Sequence, residues 1–386
     1  MNVEPFALER WMTTYEMNVQ FDIAESGILP MSMGELLGLM PQAERDEALA
    51  RLLAMPLNYS EACGTLALRS AIAATYPATT PDQILVTTGA IEANYLLFHT
   101  LLKPGDHVVA VHPAYQQLHS VPQAIGCNVS LWELRDEGGF HYDLDDLRQL
   151  VTPQTKLIIV NTPHNPTGAM LSEEQLREIY ALAEANDAYL LCDEAYRWLD
   201  IPGGDPFAPP ARSLGAHGIS VGTLSKPFGL PGLRIGWVAA TDDVISACWS
   251  MRDYISLSPG KLSDALAVIA IENRDAIIAR NQPIIEQNLV TALDWFAAQA
   301  DVATWSPPRG GLLALMRFDL PIDSLTLANR LAEEYSVMLA PGSAFGYESH
   351  LRLGLGQDPE IFAEGLRRTA TCFAAVAHEN ALVMSH

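Results

Sequence analysis

Four lysines are the side-chain amines that this chain offers for covalent chemistry: Lys103, Lys156, Lys226 and Lys261. Lys226 lies among the hydroxyls and glycines of Thr223–Gly232, directly after an apolar run. The other three belong to a Lys-Pro-Gly-Asp turn, the start of an apolar run and a Ser-Pro-Gly segment, which are typical of exposed positions. A lysine amine in a site can form a Schiff base with a carbonyl compound. Lys226 is therefore the candidate nucleophile.

Two further patterns indicate which carbonyl compound that amine would bind. Gly89-Ala90-Ile91 opens a predicted helix after an apolar run, and the free N–H groups at a helix N-terminus bind phosphate. Asp193 ends another apolar run, where a buried carboxylate can pair with a protonated ring nitrogen. An amine, a phosphate cradle and a buried carboxylate are together what pyridoxal 5'-phosphate (PLP) requires. These residues predict a PLP site.

Short apolar runs that alternate with helical patterns must position these groups. The runs cover residues 83–86, 107–111, 157–160, 188–192 and 219–221. Continuous apolar strands separated by helices predict an α/β fold, with a mainly parallel central sheet sandwiched by helices. Each run ends in a polar cluster. Because ligands bind beyond the carboxyl ends of such strands, we expect the clusters to meet in one crevice.

The second half of the chain predicts a smaller α+β unit. A helical stretch from Ser258 to Gln299 should break at Pro283, and strand-like runs follow near 310–316, 337–340 and 351–355. We expect a large PLP-binding domain over residues 46–280. Residues 1–45 and 281–386 should form the small domain.

Composition excludes several classes of function. The chain has 23 Lys and Arg against 46 Asp and Glu, a net charge of −23, which disfavours nucleic acid and anionic membranes as partners. It shows neither a secretory signal nor an apolar run long enough for a membrane helix. Five scattered cysteines predict a reduced, cytoplasmic protein. The motifs of zinc proteases, P-loop enzymes, Rossmann dehydrogenases and hydrolases are absent, and no metal ligands are assigned.

Several ordered motifs resemble one enzyme family. Asn165-Pro166-Thr167-Gly168, Asp193-Glu194-Ala195-Tyr196 and Ser225-Lys226 with Arg234-Ile235-Gly236-Trp237 are similar to the signatures of class I/II aminotransferases, the fold-type-I PLP enzymes. Tyr59 with Gly64 and Arg69 upstream, and Pro341-Gly342 with Arg352 downstream, extend the resemblance over roughly residues 20–375.

The resemblance implies a role for each matching residue. Lys226, Asp193 and Tyr196 would be catalytic: Lys226 would form the Schiff base and move the proton between substrate Cα and cofactor C4′, and Asp193 would keep the pyridine nitrogen protonated. Arg352 would hold the substrate α-carboxylate by a bidentate fork. The remaining implied contacts are Asn165 and Tyr196 on the ring 3′-oxygen, Tyr115 stacked on the ring, Gly89, Ala90, Ile91, Thr223, Ser225 and Arg234 on the phosphate, and Asn165 and Gly27 beside the substrate. Tyr59 would reach the phosphate of a neighbouring subunit, which implies a homodimer with shared active sites.

The reaction has alternatives. The family resemblance implies amino transfer between an L-amino acid and a 2-oxo acid as the first expectation. A narrower resemblance, carried by Ile23–Gly27, Gly229–Arg234 and Met251–Ser258, is to capreomycidine synthase-like members, which cyclise a hydroxylated arginine by elimination and re-addition. A non-catalytic PLP-sensing regulator is a distant third, because no DNA-binding segment precedes the aminotransferase-like region in this sequence.

Overall fold

The computed structural model describes residues 3–136 and 139–384. Its strands are β1 (Phe21–Asp22), β2 (Ile84–Thr87), β3 (His107–His112), β4 (Asn128–Glu133), β5 (Thr155–Asn161), β6 (Tyr189–Asp193), β7 (Gly218–Thr223), β8 (Gly236–Ala239), β9 (Ala303–Trp305), β10 (Leu313–Phe318), β11 (Val337–Met338), β12 (Ala340–Pro341) and β13 (His350–Gly354). Its α-helices are α1 (Ala7–Tyr15), α2 (Met33–Gly38), α3 (Gln42–Leu53), α4 (Leu66–Ala73), α5 (Ala90–Leu101), α6 (Gln117–Ile125), α7 (Leu144–Leu150), α8 (Glu173–Ala185), α9 (Asp242–Arg252), α10 (Lys261–Glu272), α11 (Arg274–Ala298), α12 (Ser324–Tyr335) and α13 (Pro359–Met384).

The central sheet has the strand order β2-β8-β7-β6-β5-β3-β4. Strands β3 to β7 run parallel, and β8 is antiparallel to both of its neighbours, β2 and β7. Both faces are covered: Leu85 packs with residues of α5 and α9, whereas Ile84 and Val86 pack on the other face with residues of α4 and α10. The prediction of a mainly parallel sheet between helices is confirmed.

A smaller unit forms around a second sheet of order β12-β13-β10-β9, which is antiparallel throughout. β1 pairs with β11 in parallel, so the N-terminal segment is tied to this unit. Leu8 and Trp11 of α1 share its core, whereas Leu36 and Ala48 pack with strands β2 and β8 of the large sheet. We therefore propose that the N-terminal domain division lies near residue 30 and not at residue 46.

The break in the long helical stretch is not at Pro283, as the sequence suggested. α10 ends before Asn273, and α11 continues through Pro283 to Ala298. Proline removes one helical hydrogen bond. Burial of Ile277, Ile285 and other apolar residues along one face of α11 keeps the helix continuous despite that loss.

Candidate active site

The carboxyl ends of β5, β6 and β7 surround one cavity of about 410 Å³, together with the start of α5 and the segment after β1. It opens at the edge where ligands bind in sheets of this kind. The side chains that the sequence singled out and that line it are Ala90, Ile91, Tyr115, Asn165, Asp193, Tyr196, Thr223, Ser225, Lys226, Arg234 and Arg352.

Lys226 presents its amine to this cavity just beyond β7. Its Nζ donates to Oγ of Ser26 at 2.7 Å and to Oε1 of Glu25 at 3.3 Å. Burial alone would lower the pKa of the Lys226 amine, but the negative charge of Glu25, with a contribution from Tyr196, outweighs burial and raises the pKa. The amine is therefore held in one place by two acceptors from the N-terminal segment.

Asp193 is a buried carboxylate at the end of β6. Its Oδ2 accepts a hydrogen bond from Nδ2 of Asn94 at 2.9 Å, and its Oδ1 accepts one from the backbone N–H of Ala195 at 3.1 Å. Burial raises the pKa of Asp193, while these two hydrogen bonds favour the ionised form. A fixed carboxylate in this setting is suited to holding a proton on a ring nitrogen.

The start of α5 forms an anion cradle. Gly89 precedes the helix at φ +80° and has no side chain to cap it, and among the described residues no hydrogen bond is found for the N–H groups of Ala90 and Ile91, so both are open to a ligand. A β carbon on Gly89 would lie 2.6 Å from Nη2 of Arg234. Arg234 Nη1 donates to Oγ of Ser225 at 3.5 Å. Amides, a hydroxyl and a guanidinium thus converge as a phosphate requires.

Arg352 is almost fully buried and lines the same cavity as the amine of Lys226. Its Nη1 donates to Oδ1 of Asn165 at 3.2 Å, and its Nη2 donates to the carbonyl of Ala24 at 2.8 Å. Its Nε, although buried, has no hydrogen-bond partner among the described residues. A buried donor without an acceptor is costly, so this guanidinium is arranged to receive an anion such as a carboxylate.

Two tyrosines complete the cavity wall. The hydroxyl of Tyr115 donates to Oε1 of Glu9 at 2.7 Å, and its ring packs against Phe6 with centroids 4.7 Å apart. The hydroxyl of Tyr196 is hydrogen-bonded to Ser26, and burial raises the pKa of both phenols. The Tyr196 hydroxyl therefore shares Ser26 with the amine of Lys226.

The remaining predicted positions lie beside the cavity or away from it. Gly27 adjoins Lys226, since a β carbon on it would lie 3.6 Å from Cδ of that lysine, and its N–H donates to Glu25 at 2.8 Å. Gly89 borders the anion cradle through its close approach to Arg234. Tyr59 is 82 % exposed and does not line the cavity of this chain.

Sequence reasoning missed several lining residues: Glu9, Glu16, Glu25, Ser26 and Asn94. Asn94 lies four residues after Ala90 on α5, a helical spacing that places both on one face. Glu25 and Ser26 directly precede Gly27. Glu9 and Glu16 carry no local signal, because α1 is held at the cavity by contacts with residues far along the chain, such as those of Ala7 with Gln116 and of Trp11 with Asn329.

The fold and the cavity together define a PLP-dependent enzyme of the fold-type-I class. The amine of Lys226, the uncapped α5 cradle and the buried Asp193 fit the carbonyl, phosphate and ring nitrogen of that cofactor. The chain belongs to the family "Aminotransferase class I and II", whose sequence model matches residues 26–368. The predictions of this family, of an enzyme and of PLP as its cofactor are confirmed.

Three similar proteins illustrate the range of the family. The chain is 36 % identical to capreomycidine synthase of Streptomyces vinaceus over 347 residues, which cover 90 % of this chain and 88 % of that protein. A PLP-dependent aminotransferase of Streptococcus suis superposes with a TM-score of 0.91 at 32 % identity, over 97 % and 99 % of the two chains. The PLP-dependent cyclase OrfR superposes with a TM-score of 0.88 at 34 % identity, over 97 % and 98 %. An aminotransferase and a cyclase are therefore both structural relatives of this chain.

In the part of the chain that the structure describes, no helix is both long and apolar enough to cross a membrane.

Proposed function

We propose that this enzyme removes the Cα proton from an L-amino acid that carries a cationic side chain and a hydroxyl on Cβ, and that elimination and ring closure follow. Bound PLP would withdraw electrons from the substrate nitrogen, which acidifies the Cα–H bond. Lys226 would accept the Cα proton. Asp193 would keep a proton on the ring nitrogen, and the α5 cradle with Arg234 would anchor the phosphate.

The charges that line the cavity carry this proposal. Arg234 faces the phosphate cradle, Arg352 is arranged for an α-carboxylate, and Lys226 pairs with Glu25. Glu9 and Glu16 then remain as two lining carboxylates for which no ion pair is found among the described residues. Complementary charge is what selects a partner at such a surface, so a cationic group such as a guanidinium fits here.

The similarity to capreomycidine synthase and to a cyclase supports elimination with ring closure over amino transfer. Amino transfer to a 2-oxo acid is the second candidate, because the aminotransferase of Streptococcus suis shares almost the whole fold. In that reaction Lys226 would return the proton to the cofactor carbon C4′, and no leaving group would be needed.

The test is to incubate the PLP-loaded protein with L-arginine and with 3-hydroxy-L-arginine, and to follow the products by mass spectrometry. Loss of one water with formation of a cyclic amino acid, while the cofactor stays as PLP, supports the proposal. Accumulation of pyridoxamine phosphate together with a 2-oxo acid would instead assign amino transfer.

We further propose a homodimer with shared active sites. Large apolar side chains are exposed on two segments, namely Leu57 and Tyr59 on one and Tyr254 and Ile255 on the other. Exposed large apolar side chains on these two segments favour a protein–protein interface there. The five cysteines are unpaired, which supports a reducing, cytoplasmic setting.

A further inference from the structure

Glu25 lies in the active site without a role in the proposed reaction. Its Oε1 accepts hydrogen bonds from Nζ of Lys226 at 3.3 Å and from the backbone N–H of Gly27 at 2.8 Å. Within residues 3–136 and 139–384 no hydrogen bond or ion pair is found for Oε2, and the side chain lines the cavity. One carboxylate oxygen is therefore fixed on the catalytic amine while the other is open to a substrate.

The neighbours of Glu25 define which part of a substrate it would meet. The carbonyl of Ala24 accepts from Nη2 of Arg352 at 2.8 Å, and Oγ of Ser26 accepts from Nζ of Lys226 at 2.7 Å. The segment Ala24–Ser26 thus runs from Arg352, which is arranged for the α-carboxylate, to Lys226, which would remove the Cα proton. With the α-carboxylate on Arg352 and Cα beside Lys226, the side chain of Glu25 would lie near the substrate carbons next to the carboxylate, including Cβ.

We propose that Glu25 relays the proton from Nζ of Lys226 to the hydroxyl that leaves Cβ, and that it later accepts a proton from the nitrogen that closes the ring. This inference rests on the proposed function.

The proton and electron balance is closed by groups already present. Lys226 takes the proton from Cα, and the C–H electron pair becomes the second bond between Cα and Cβ as the Cβ–O bond breaks. The departing oxygen keeps the pair of that bond and receives the proton that Glu25 has taken from Nζ, so that water leaves. When a guanidinium nitrogen adds to Cβ, it gives its proton to Glu25, which returns it through Nζ to Cα.

The surrounding charges fit a relay of this kind. Lys226 and Arg352 face Glu25 with positive charge, and together with backbone hydrogen bonding they hold the pKa of Glu25 low despite its burial. The pKa of the neighbouring Asp22 is raised instead, to about 6, by burial and by the negative charge of Glu25. Glu25 therefore begins as a carboxylate, which is the protonation state from which the relay has to start.

The experiment compares Glu25→Gln and Glu25→Asp with the wild type, and uses Glu286→Gln on the exposed side of α11 as the matched control. Exchange of the Cα hydrogen of L-arginine in heavy water reports on Lys226 alone. Water loss from 3-hydroxy-L-arginine reports on the complete relay. We expect Glu25→Gln to slow exchange less than about tenfold and water loss about 100-fold or more, with partial recovery in Glu25→Asp.

A second readout needs no cofactor. In the PLP-free protein, loss of the negative charge in Glu25→Gln should lower the pKa of Lys226, so that an amine-reactive reagent labels it faster at pH 8 than in the wild type or in Glu286→Gln. With four lysines in the chain, peptide mapping resolves this site.

Three results would contradict these ideas, and they can be told apart. Equal slowing of exchange and water loss in Glu25→Gln, or no slowing of either, overturns the relay. An unchanged labelling rate of Lys226 overturns the charge coupling on which the relay depends. A wild-type protein that exchanges Cα hydrogen but forms no water-loss product from the hydroxylated substrate overturns the proposed function itself.

Discussion

Gly89 and Arg234 are fitted to each other across the anion cradle: a β carbon on the glycine would lie 2.6 Å from Nη2 of the arginine. The glycine also holds φ +80°, which L side chains rarely adopt. Both constraints keep the N-terminal amides of α5 and the guanidinium of Arg234 close together, in an arrangement that suits a phosphate.

Gly89→Ala should therefore weaken PLP binding, by tenfold or more in Kd, which is about 1.4 kcal/mol. Gly105→Ala is the matched control, since Gly105 has φ +90° but a β carbon on it would meet no heavy atom within 4 Å. Fluorescence titration with PLP measures both variants. If Gly105→Ala lost as much affinity as Gly89→Ala, backbone strain alone would explain the effect.

Lys226→Ala should abolish turnover and leave the fold intact, because this lysine lines the cavity and its amine is held by two acceptors. Circular dichroism checks the fold, and product formation checks activity. Lys103→Ala, at an exposed turn, should behave as the wild type. Turnover in Lys226→Ala near the wild-type rate would contradict the assignment of Lys226 as the lysine that forms the Schiff base.

Asp193→Asn should separate activity from stability. The loss of charge should lower kcat by about 100- to 1,000-fold, which is about 2.7–4 kcal/mol of transition-state stabilisation. Because burial raises the pKa of Asp193 in the folded protein, the neutral variant should be at least as stable as the wild type at pH 7. Urea denaturation of the PLP-free proteins measures the second effect, and a clearly less stable variant would contradict it.

Asp22→Asn should show a pH-dependent gain in stability. Burial, and next the charge of Glu25, raise the pKa of Asp22 from 3.8 to about 6, so the folded protein holds this proton more tightly than the unfolded chain. Ionising Asp22 therefore destabilises the fold as the pH rises from 4 to 6, by at most about 3 kcal/mol.

The gain of Asp22→Asn over the wild type should accordingly be full at pH 7 and absent at pH 3.5 to 4. The asparagine Oδ1 can still accept from the N–H groups of Ala24 and Glu25. The free energy of unfolding in urea at the two pH values is the measurement, and a gain of equal size at both would disprove the ionic origin.

Tyr59 should act in the active site of the partner subunit. Mixed dimers of Lys226→Ala with Tyr59→Ala contain one site in which Lys226 and a partner's tyrosine are both intact, if the tyrosine acts across the interface. Co-refolding the two variants should then restore activity above that of either alone. No restoration, with mixed dimers demonstrated by native mass spectrometry, would mean that the tyrosine does not act in this way.

Much of the site could be predicted because its chemistry is local. Lys226, Asp193 and Asn165 each lie at or just after the end of an apolar strand. A continuous apolar run bounded by polar residues predicts both the strand and the position of its carboxyl end. β8 and β4 were not among the predicted runs; in β4 the polar residues Asn128, Ser130 and Glu133 leave no continuous apolar run.

The contacts that escaped prediction join residues far apart in the chain. Glu25 meets Lys226 across 201 positions, and Glu9 meets Tyr115 across 106. No periodicity or spacing encodes such pairs, because they depend on how distant segments of the chain pack together. The predicted helix break at Pro283 was wrong for a related reason, because burial of one face of α11 outweighed the helix-breaking preference of proline.

Glu9 and Glu16, the cavity carboxylates proposed to select the substrate side chain, lie in and directly after α1, whereas the residues of the anion cradle lie between 89 and 234. Selection of the side chain and binding of the cofactor would thus be encoded in separate parts of the gene. A lineage could then acquire a new substrate by changes in the codons of α1, while Glu25, Ser26 and the other residues around the catalytic lysine are left unchanged. Helix α1 with Glu16 is accordingly where a library for altered selectivity should be randomised.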